Sequence, residues 1–482
     1  MDVQHIQWFR LMLAFLGIWF VSCTKDAVEP PDEAQPDEIR LKVNKFVYAY
    51  MQERYLWTSS IDWSQLDPDN DSDPIDFFEK MRYRPTDKWS LLSDKGEKVL
   101  NQVNGIVTSY GYELTWITLQ GYNTMFAIVL YVFPNSPAER AGFKRGDFIV
   151  SLNSSVPNIT EDNYRDLYDA PSISVGKANI AADGSLEINP NLVNMTAITL
   201  YQDPVFKDTL IVKDNHRIGY LLYTDYIFDS EQRLVEVLSG FKERGVTDVV
   251  LDLRYNRGGF AETATKLSSM LAPAAVVQRK DIFLIHKWND DYMKYYASIN
   301  YDPNEYFIDS LSVNMNLSRL YVLTLPSTTS ASEGTMIGLA PYMDVIQIGE
   351  ETAGKYYGGL LNTALSFDEK INGWLPDASI ENWILYMLVY RYADRTGDTS
   401  FSSGLVPDFY VEEDYGRTLP PIGDERDPLL GKAIELITGQ PVSTRSATPS
   451  LRLPYKINGM LPRSPLNGKM ISESKNLGLF HE

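Results

Sequence analysis

Ser330 and Lys355 are the residues of this chain whose types and spacing best suit hydrolytic chemistry. They stand 25 residues apart. Ser330 lies in Ser327-Thr328-Thr329-Ser330-Ala331-Ser332-Glu333, after the apolar run 320–325. Lys355 lies in Gly349-Glu350-Glu351-Thr352-Ala353-Gly354-Lys355, after the apolar run 345–348. The pattern predicts a strand that delivers a serine to the start of a helix, then a second strand that delivers a lysine. A serine hydroxyl attacks a carbonyl when a base takes its proton and donors hold the resulting oxyanion. Lysine can be that base only if its surroundings favour the neutral amine.

Composition leaves few other routes. The 482-residue chain has one cysteine, Cys23, and four histidines, His5, His216, His286 and His481. This argues against a cysteine nucleophile, a disulfide framework or a zinc–thiolate site. A Ser-His-Asp triad would have to use His216 or His286, and neither lies in a catalytic-looking segment. No cofactor or metal is expected. The net charge of −20 argues against nucleic-acid binding, which needs a basic footprint. The length suggests about three domains, and the 44% hydrophobic content is ample for their cores.

Two further segments suit acyl transfer. Ala331 follows Ser330 at the predicted helix start, where its amide can donate. Gly258-Gly259 closes the run Asp252-Leu253-Arg254-Tyr255-Asn256-Arg257 after the apolar strand candidate 246–253. Glycine lets a backbone amide approach a reacting atom without a Cβ in the way. Ser332 is the competing nucleophile.

Helical spacing of Phe46, Val47, Tyr50 and Met51, and of Ile75, Phe77, Phe78 and Met81, predicts a small helical unit over 39–104. From Gly105 the pattern turns to β. The segment 126–133 is a buried-strand candidate, 135–142 reads as a capped short helix ending at Gly142, and 145–150 reads as a turn feeding a strand. This block resembles a PDZ domain, which captures a peptide by adding it as a strand to a sheet edge. The PDZ-like unit is drawn over 105–213. From 214 to 440 strands alternate with helices, including a helix near 261–271. Residues 287–318 and 376–402 read as long polar-aromatic insertions, and 441–482 as a loosely ordered tail.

The N-terminus reads as an address. An apolar run over 11–21 follows Arg10 and precedes Ser22-Cys23, and it is too short to span a bilayer comfortably. Phe20-Val21-Ser22-Cys23 resembles a lipobox, so 1–22 is expected to be a lipoprotein signal peptide and Cys23 the lipidated residue. The acidic, proline-rich stretch 23–38 then suits a tether. The resulting expectation is a cell-envelope protein anchored to a membrane, facing the periplasm or the cell surface.

Taken together in their order, these segments resemble the C-terminal processing peptidases, the tail-specific Ser/Lys proteases. The resemblance runs from about residue 39 to 437. It implies a multidomain α/β protein: a helical N-terminal unit, a PDZ-like β-rich domain and a ClpP/crotonase-like α/β serine protease core. It implies Ser330 as nucleophile, Lys355 as base, and Gly258, Gly259 and Ala331 as the oxyanion hole, with protein or peptide tails as substrates. The family often places a glutamine four residues after the lysine to orient the amine. Here that position is Gly359, and Glu333 or Asn362 are the candidates to substitute. Two other readings compete: a peptide-binding lipoprotein on the same scaffold that does not turn over, and a carbohydrate-associated lipoprotein that binds through its aromatic insertions.

Overall fold

A computed structural model of the chain describes residues 36–71, 73–228, 230–365, 377–443, 450–462 and 466–472. The apolar run 11–21, Cys23 and the tether up to 35 lie outside the described residues. No described helix is long and apolar enough to cross a membrane.

The helix Pro36–Arg54 starts with Asp37 and Glu38 in its first turn, which favours its positive end. It buries Val43, Phe46, Val47, Tyr50 and Met51 on one side. The helix Pro74–Met81 is capped by Asp73, whose carboxylate accepts the amides of Ile75 and Asp76. A third helix, Gly96–Val103, completes the unit. The short strand Leu91–Ser93 pairs with Ile384–Ala393, so the helical unit is stitched directly to the core.

The PDZ-like unit is built on an antiparallel sheet. From one edge its strands run Tyr455–Gly459, Tyr112–Leu119, Met125–Val132, Phe148–Leu152, Ser172–Ile180 and Leu186–Thr196. Ser136 caps the short helix Pro137–Arg140, accepting the amide of Glu139. Gly142 follows at φ +75°, the left-handed conformation that ends a helix most easily with glycine. The unit stops earlier than 213. Val205–Lys213 pairs antiparallel with His216–Tyr223 and belongs to the core. Asp214, at φ 52°, turns that hairpin, and the same polar turn reads in sequence as a domain boundary.

The core has two sheets. One orders Phe409–Tyr410, Asp344–Gly349, Arg319–Thr324, Asp248–Asp252, His216–Tyr223 and Val205–Lys213, parallel except for the last pair. The other orders Gly259–Phe260, Met470–Ser472, Tyr357–Thr363, Ile384–Ala393, Ile282–Trp288 and Glu305–Tyr306, with Leu91–Ser93 also on Ile384–Ala393.

Three sequence expectations change here. The stretch 376–402 is not an insertion: Ile384–Ala393 is an interior strand, with Tyr386, Tyr390 and Tyr392 fully buried. Buried on both faces, it lacks the alternation that marks a half-exposed strand. The stretch 287–318 begins at the end of Ile282–Trp288 and contains the helix Asp290–Ser298. The tail is partly ordered, because Tyr455–Gly459 adds to the PDZ-like sheet and Met470–Ser472 inserts between Gly259–Phe260 and Tyr357–Thr363.

A buried ionic cluster joins the PDZ-like unit to the core. The Arg145 guanidinium donates to Glu413 Oε1 at 2.5 Å and to the Tyr255 hydroxyl at 2.6 Å. Arg254 donates to Asp252, Glu413 and Asp427. Removing one partner of such a cluster leaves an uncompensated buried charge, at a cost of about 3–5 kcal/mol. Tyr255 also lies in the loop that leads to Gly258 and Gly259, so the PDZ-like unit is braced against that loop.

Candidate active site

Ser330 sits at the turn between the strand Arg319–Thr324 and the helix Ala331–Leu339. Its φ is 66° and its ψ −115°, an unusual conformation for a residue with a side chain. Holding it costs about 1–3 kcal/mol, which surrounding contacts must offset. Glu333 supplies several of them. Its Oε2 accepts the amides of Ser330 at 2.7 Å and Lys355 at 3.0 Å, and its Oε1 accepts the amide of Gly354 and the Thr352 hydroxyl, both at 2.6 Å. Burial raises the Glu333 pKa, and these four donors work against that rise.

The parallel pairing of Arg319–Thr324 with Asp344–Gly349 brings the second segment alongside the first. Lys355 lies after Gly354, at φ +77°, and just before the strand Tyr357–Thr363. Its Nζ donates to Ser330 Oγ at 3.3 Å. Both side chains are buried. The amine faces aromatic walls, 5.7 Å from the ring centre of Trp89 and 6.0 Å from that of Tyr386. Burial, with the nearby Lys469 cation adding to it, pushes the Lys355 pKa well below that of a free lysine, while Glu333 and Asp87 oppose the shift. The pocket therefore favours the neutral, proton-accepting amine. The Tyr392 hydroxyl bonds to the carbonyl oxygens of Ser330, at 3.0 Å, and of Lys355.

Gly258 backs directly onto the serine. A Cβ there would lie 2.7 Å from Ser330 Cβ, and its φ of +99° suits glycine alone. Its amide donates to Asn256 Oδ1 at 2.8 Å and is thus used within its own loop. Gly259 pairs in register with Met470. Ala331 opens the serine helix, a position whose amide has no acceptor within the helix. A cleft of about 540 Å³ runs along the glycine pair, with Val107, Tyr168, Tyr226, Gly258, Gly259 and Gly468 among its walls.

The other candidates have different hydrogen-bond partners. Ser332 Oγ donates to the carbonyl of Asn256 at 3.3 Å. Asn362 is buried, and its amide nitrogen donates to the carbonyls of Leu360 and Leu385 rather than to Lys355. Glu333 holds the backbones of both residues of the pair but makes no hydrogen bond to Lys355 Nζ. His216 faces Asp248 at 3.9 Å. His286 stacks on Tyr390, with its pKa lowered by burial to about 3. At Gly359 a Cβ would meet the carbonyl oxygen of Met387 and the Tyr386 ring, each at 2.6 Å, so this backbone has no room for a glutamine.

Sequence reasoning missed Trp89, Tyr386, Tyr392 and Lys469. Each comes from a segment to which the sequence assigns no catalytic part, and the pairing of Leu91–Ser93, Ile384–Ala393, Tyr357–Thr363 and Met470–Ser472 brings these segments together. The polar-aromatic richness of 376–402 was the one available signal, and it does not specify position.

The comparisons agree with this architecture. Three family descriptions match in chain order: the peptidase S41 N-terminal domain at residues 42–91, a PDZ domain at 128–172 and peptidase family S41 at 217–411. The chain is 25% identical over 278 residues to the chloroplastic C-terminal processing peptidase of Tetradesmus obliquus, covering 55% of this chain and 54% of that protein. It is 26% identical over 260 residues to the carboxy-terminal processing protease CtpA of Bacillus subtilis (strain 168), covering 53% and 49%. The chain thus spans about half the length of the curated relatives it matches. An S41-type structure from Bacteroides fragilis NCTC 9343 shares the fold, with a TM-score of 0.63 at 24% identity over 82% of this chain and 97% of that one. The matched segments fall in turn on the helical unit, the PDZ-like sheet and the core that holds the serine–lysine pair: the chain carries a peptidase S41 N-terminal domain, a PDZ domain and a peptidase family S41 domain.

Proposed function

We propose that the protein is a serine endopeptidase of the C-terminal processing type. The observation that carries this reading is the 3.3 Å contact between Lys355 Nζ and Ser330 Oγ inside a buried, largely apolar pocket. In the proposed reaction the free amine of Lys355 takes the Ser330 proton as Oγ attacks the substrate carbonyl. The Ala331 amide, with the Gly258–Gly259 loop packed against it, stabilises the oxyanion. The ammonium returns the proton to the leaving amine, and an acyl ester on Ser330 remains. Lys355 then takes a proton from water as it attacks that ester, and returns it to Ser330 Oγ as the C–Oγ bond breaks and the carboxyl product leaves.

Substrate tails are proposed to arrive through the PDZ-like unit. Its Tyr112–Leu119 edge is paired with the chain's own Tyr455–Gly459, so an incoming tail at that edge must displace this strand. A membrane anchor on Cys23, placing the enzyme at the cell envelope, completes the proposal. The lipobox-like segment supports it. Cys23→Ala should release the protein from membranes or leave it unprocessed, and an unchanged membrane fraction would contradict the anchor.

A second reading, a peptide-binding lipoprotein that does not turn over, is favoured by the complete burial of Ser330. One assay separates the two. The protein is incubated with a folded domain bearing a flexible C-terminal tail, and product masses are recorded. The peptidase reading expects shortened substrate with wild type and intact substrate with Ser330→Ala. Tight binding with no cleavage by either would support the second reading.

A further inference from the structure

Lys469 has no place in the expected machinery of this fold, yet it lies against the catalytic base. It precedes the strand Met470–Ser472, which is an integral part of its sheet. Met470 and Ile471 are buried, Met470 pairs with Gly358 and Gly259, and the Tyr386 hydroxyl donates to the Met470 carbonyl at 2.8 Å. Ser472 Oγ also bonds to the Tyr390 hydroxyl at 2.5 Å. The side chain of Lys469 is thereby held in place and is itself buried. Its Nζ donates to the carbonyl of Trp89 and stands 5.1 Å from the centre of the Tyr386 ring. Trp89 and Tyr386 are the same two rings that wall the Lys355 amine. The strand Tyr357–Thr363 carries Gly359, where related enzymes often have an orienting glutamine, and Gly359 pairs with Ile471.

We propose that Lys469 is a positioning residue of the Ser330–Lys355 pair. Its ammonium, delivered by the C-terminal strand to the aromatic wall it shares with Lys355, disfavours a second positive charge and so keeps Lys355 a free base. This rests on the peptidase reading above.

The surrounding charges support that direction. Glu333, from the serine helix, and Asp87, from the helical unit, favour a charged Lys355, while Lys469 opposes one. Asp87 favours the Lys469 cation and Arg82 disfavours it. The tyrosines beside the pair, Tyr357 and Tyr386, are held neutral by burial. Burial lowers the Lys469 pKa to about 7. Its cation therefore acts on Lys355 below about pH 7 and fades above it.

The test is the pH profile of kcat/KM for a short peptide, from about pH 5 to about pH 9, for wild type, Lys469→Met, Lys469→Gln and Lys469→Arg. Loss of the cation should move the acid limb of the Met and Gln variants to higher pH by about one unit. That is about a ten-fold loss of rate on the acid limb, with an alkaline plateau close to wild type. The arginine variant, always charged, should keep the wild-type limb. A uniform fall at every pH in both neutral variants, or an unmoved limb, would overturn the proposal and leave Lys469 a packing residue. A serine-directed phosphonate separates this from failure of the peptidase reading. Wild type without an adduct on Ser330 and without cleavage overturns that reading and this inference with it. An adduct on Ser330 with an unmoved acid limb overturns the role of Lys469 alone.

Discussion

Glu333 Oε2 accepts the backbone amide of Ser330 at 2.7 Å while that serine sits at φ 66°. The same oxygen accepts the amide of Lys355, so one buried carboxylate fixes both halves of the reactive pair. Glu333→Gln turns one acceptor oxygen into an NH2 group that faces N–H or O–H donors. We expect a loss of about 3 kcal/mol in stability, measured by urea unfolding, and a fall of about a hundred-fold in kcat. Wild-type values for both would show that the carboxylate is not the clamp described.

Tyr392 braces the pair from the opposite side through the carbonyls of Ser330 and Lys355. Tyr392→Phe removes only the hydroxyl. We predict a drop of about ten-fold in kcat with KM little changed, because the hydroxyl touches the backbone of the serine–lysine pair. A change confined to KM would place Tyr392 in substrate binding instead.

Burial of Lys355 costs stability. Its folded pKa is lowered, so over the range between that value and the ordinary lysine value the unfolded chain binds more protons than the folded one. The penalty is greatest at low pH and is relieved as pH rises toward about 10.5. Lys355→Met should therefore unfold at higher urea than wild type at about pH 7, with the gap narrowing by about pH 9.5. A variant less stable than wild type at both pH values would mean that the amine is paired in the folded protein and not merely buried.

The proposed access through the PDZ-like sheet can be locked. Lys456 lies opposite Thr118 in the pairing of Tyr455–Gly459 with Tyr112–Leu119. A disulfide formed by Thr118→Cys with Lys456→Cys would hold the chain's own strand on that edge. We expect the oxidised variant to lose cleavage of tail-bearing proteins, to keep cleavage of short peptides, and to recover on reduction. Undiminished cleavage of tails by the clamped form would mean that they enter elsewhere.

The sequence made the reactive pair legible because each half is local. Ser330 and Lys355 each follow an apolar strand, and adjacent parallel strands bring such loop ends together. The capped helix at Ser136 and the strand beyond Gly142 were legible for the same reason. The supporting residues were not, because their proximity depends on sheet order. Tyr392 and Lys469 reach the site only because Ile384–Ala393 and Met470–Ser472 flank Tyr357–Thr363. Nothing near position 469 signals that pairing. The boundary at 213 was misplaced because a hairpin turn and a domain linker use the same polar residues.

In the proposed mechanism Lys355 activates Ser330. The most direct measurement is peptide mapping of the adduct formed by a serine-directed phosphonate near pH 8. One modified residue is expected, Ser330, with labelling abolished in Lys355→Met and retained in Ser332→Ala. Label on Ser332, or undiminished label on Ser330 in Lys355→Met, would contradict it.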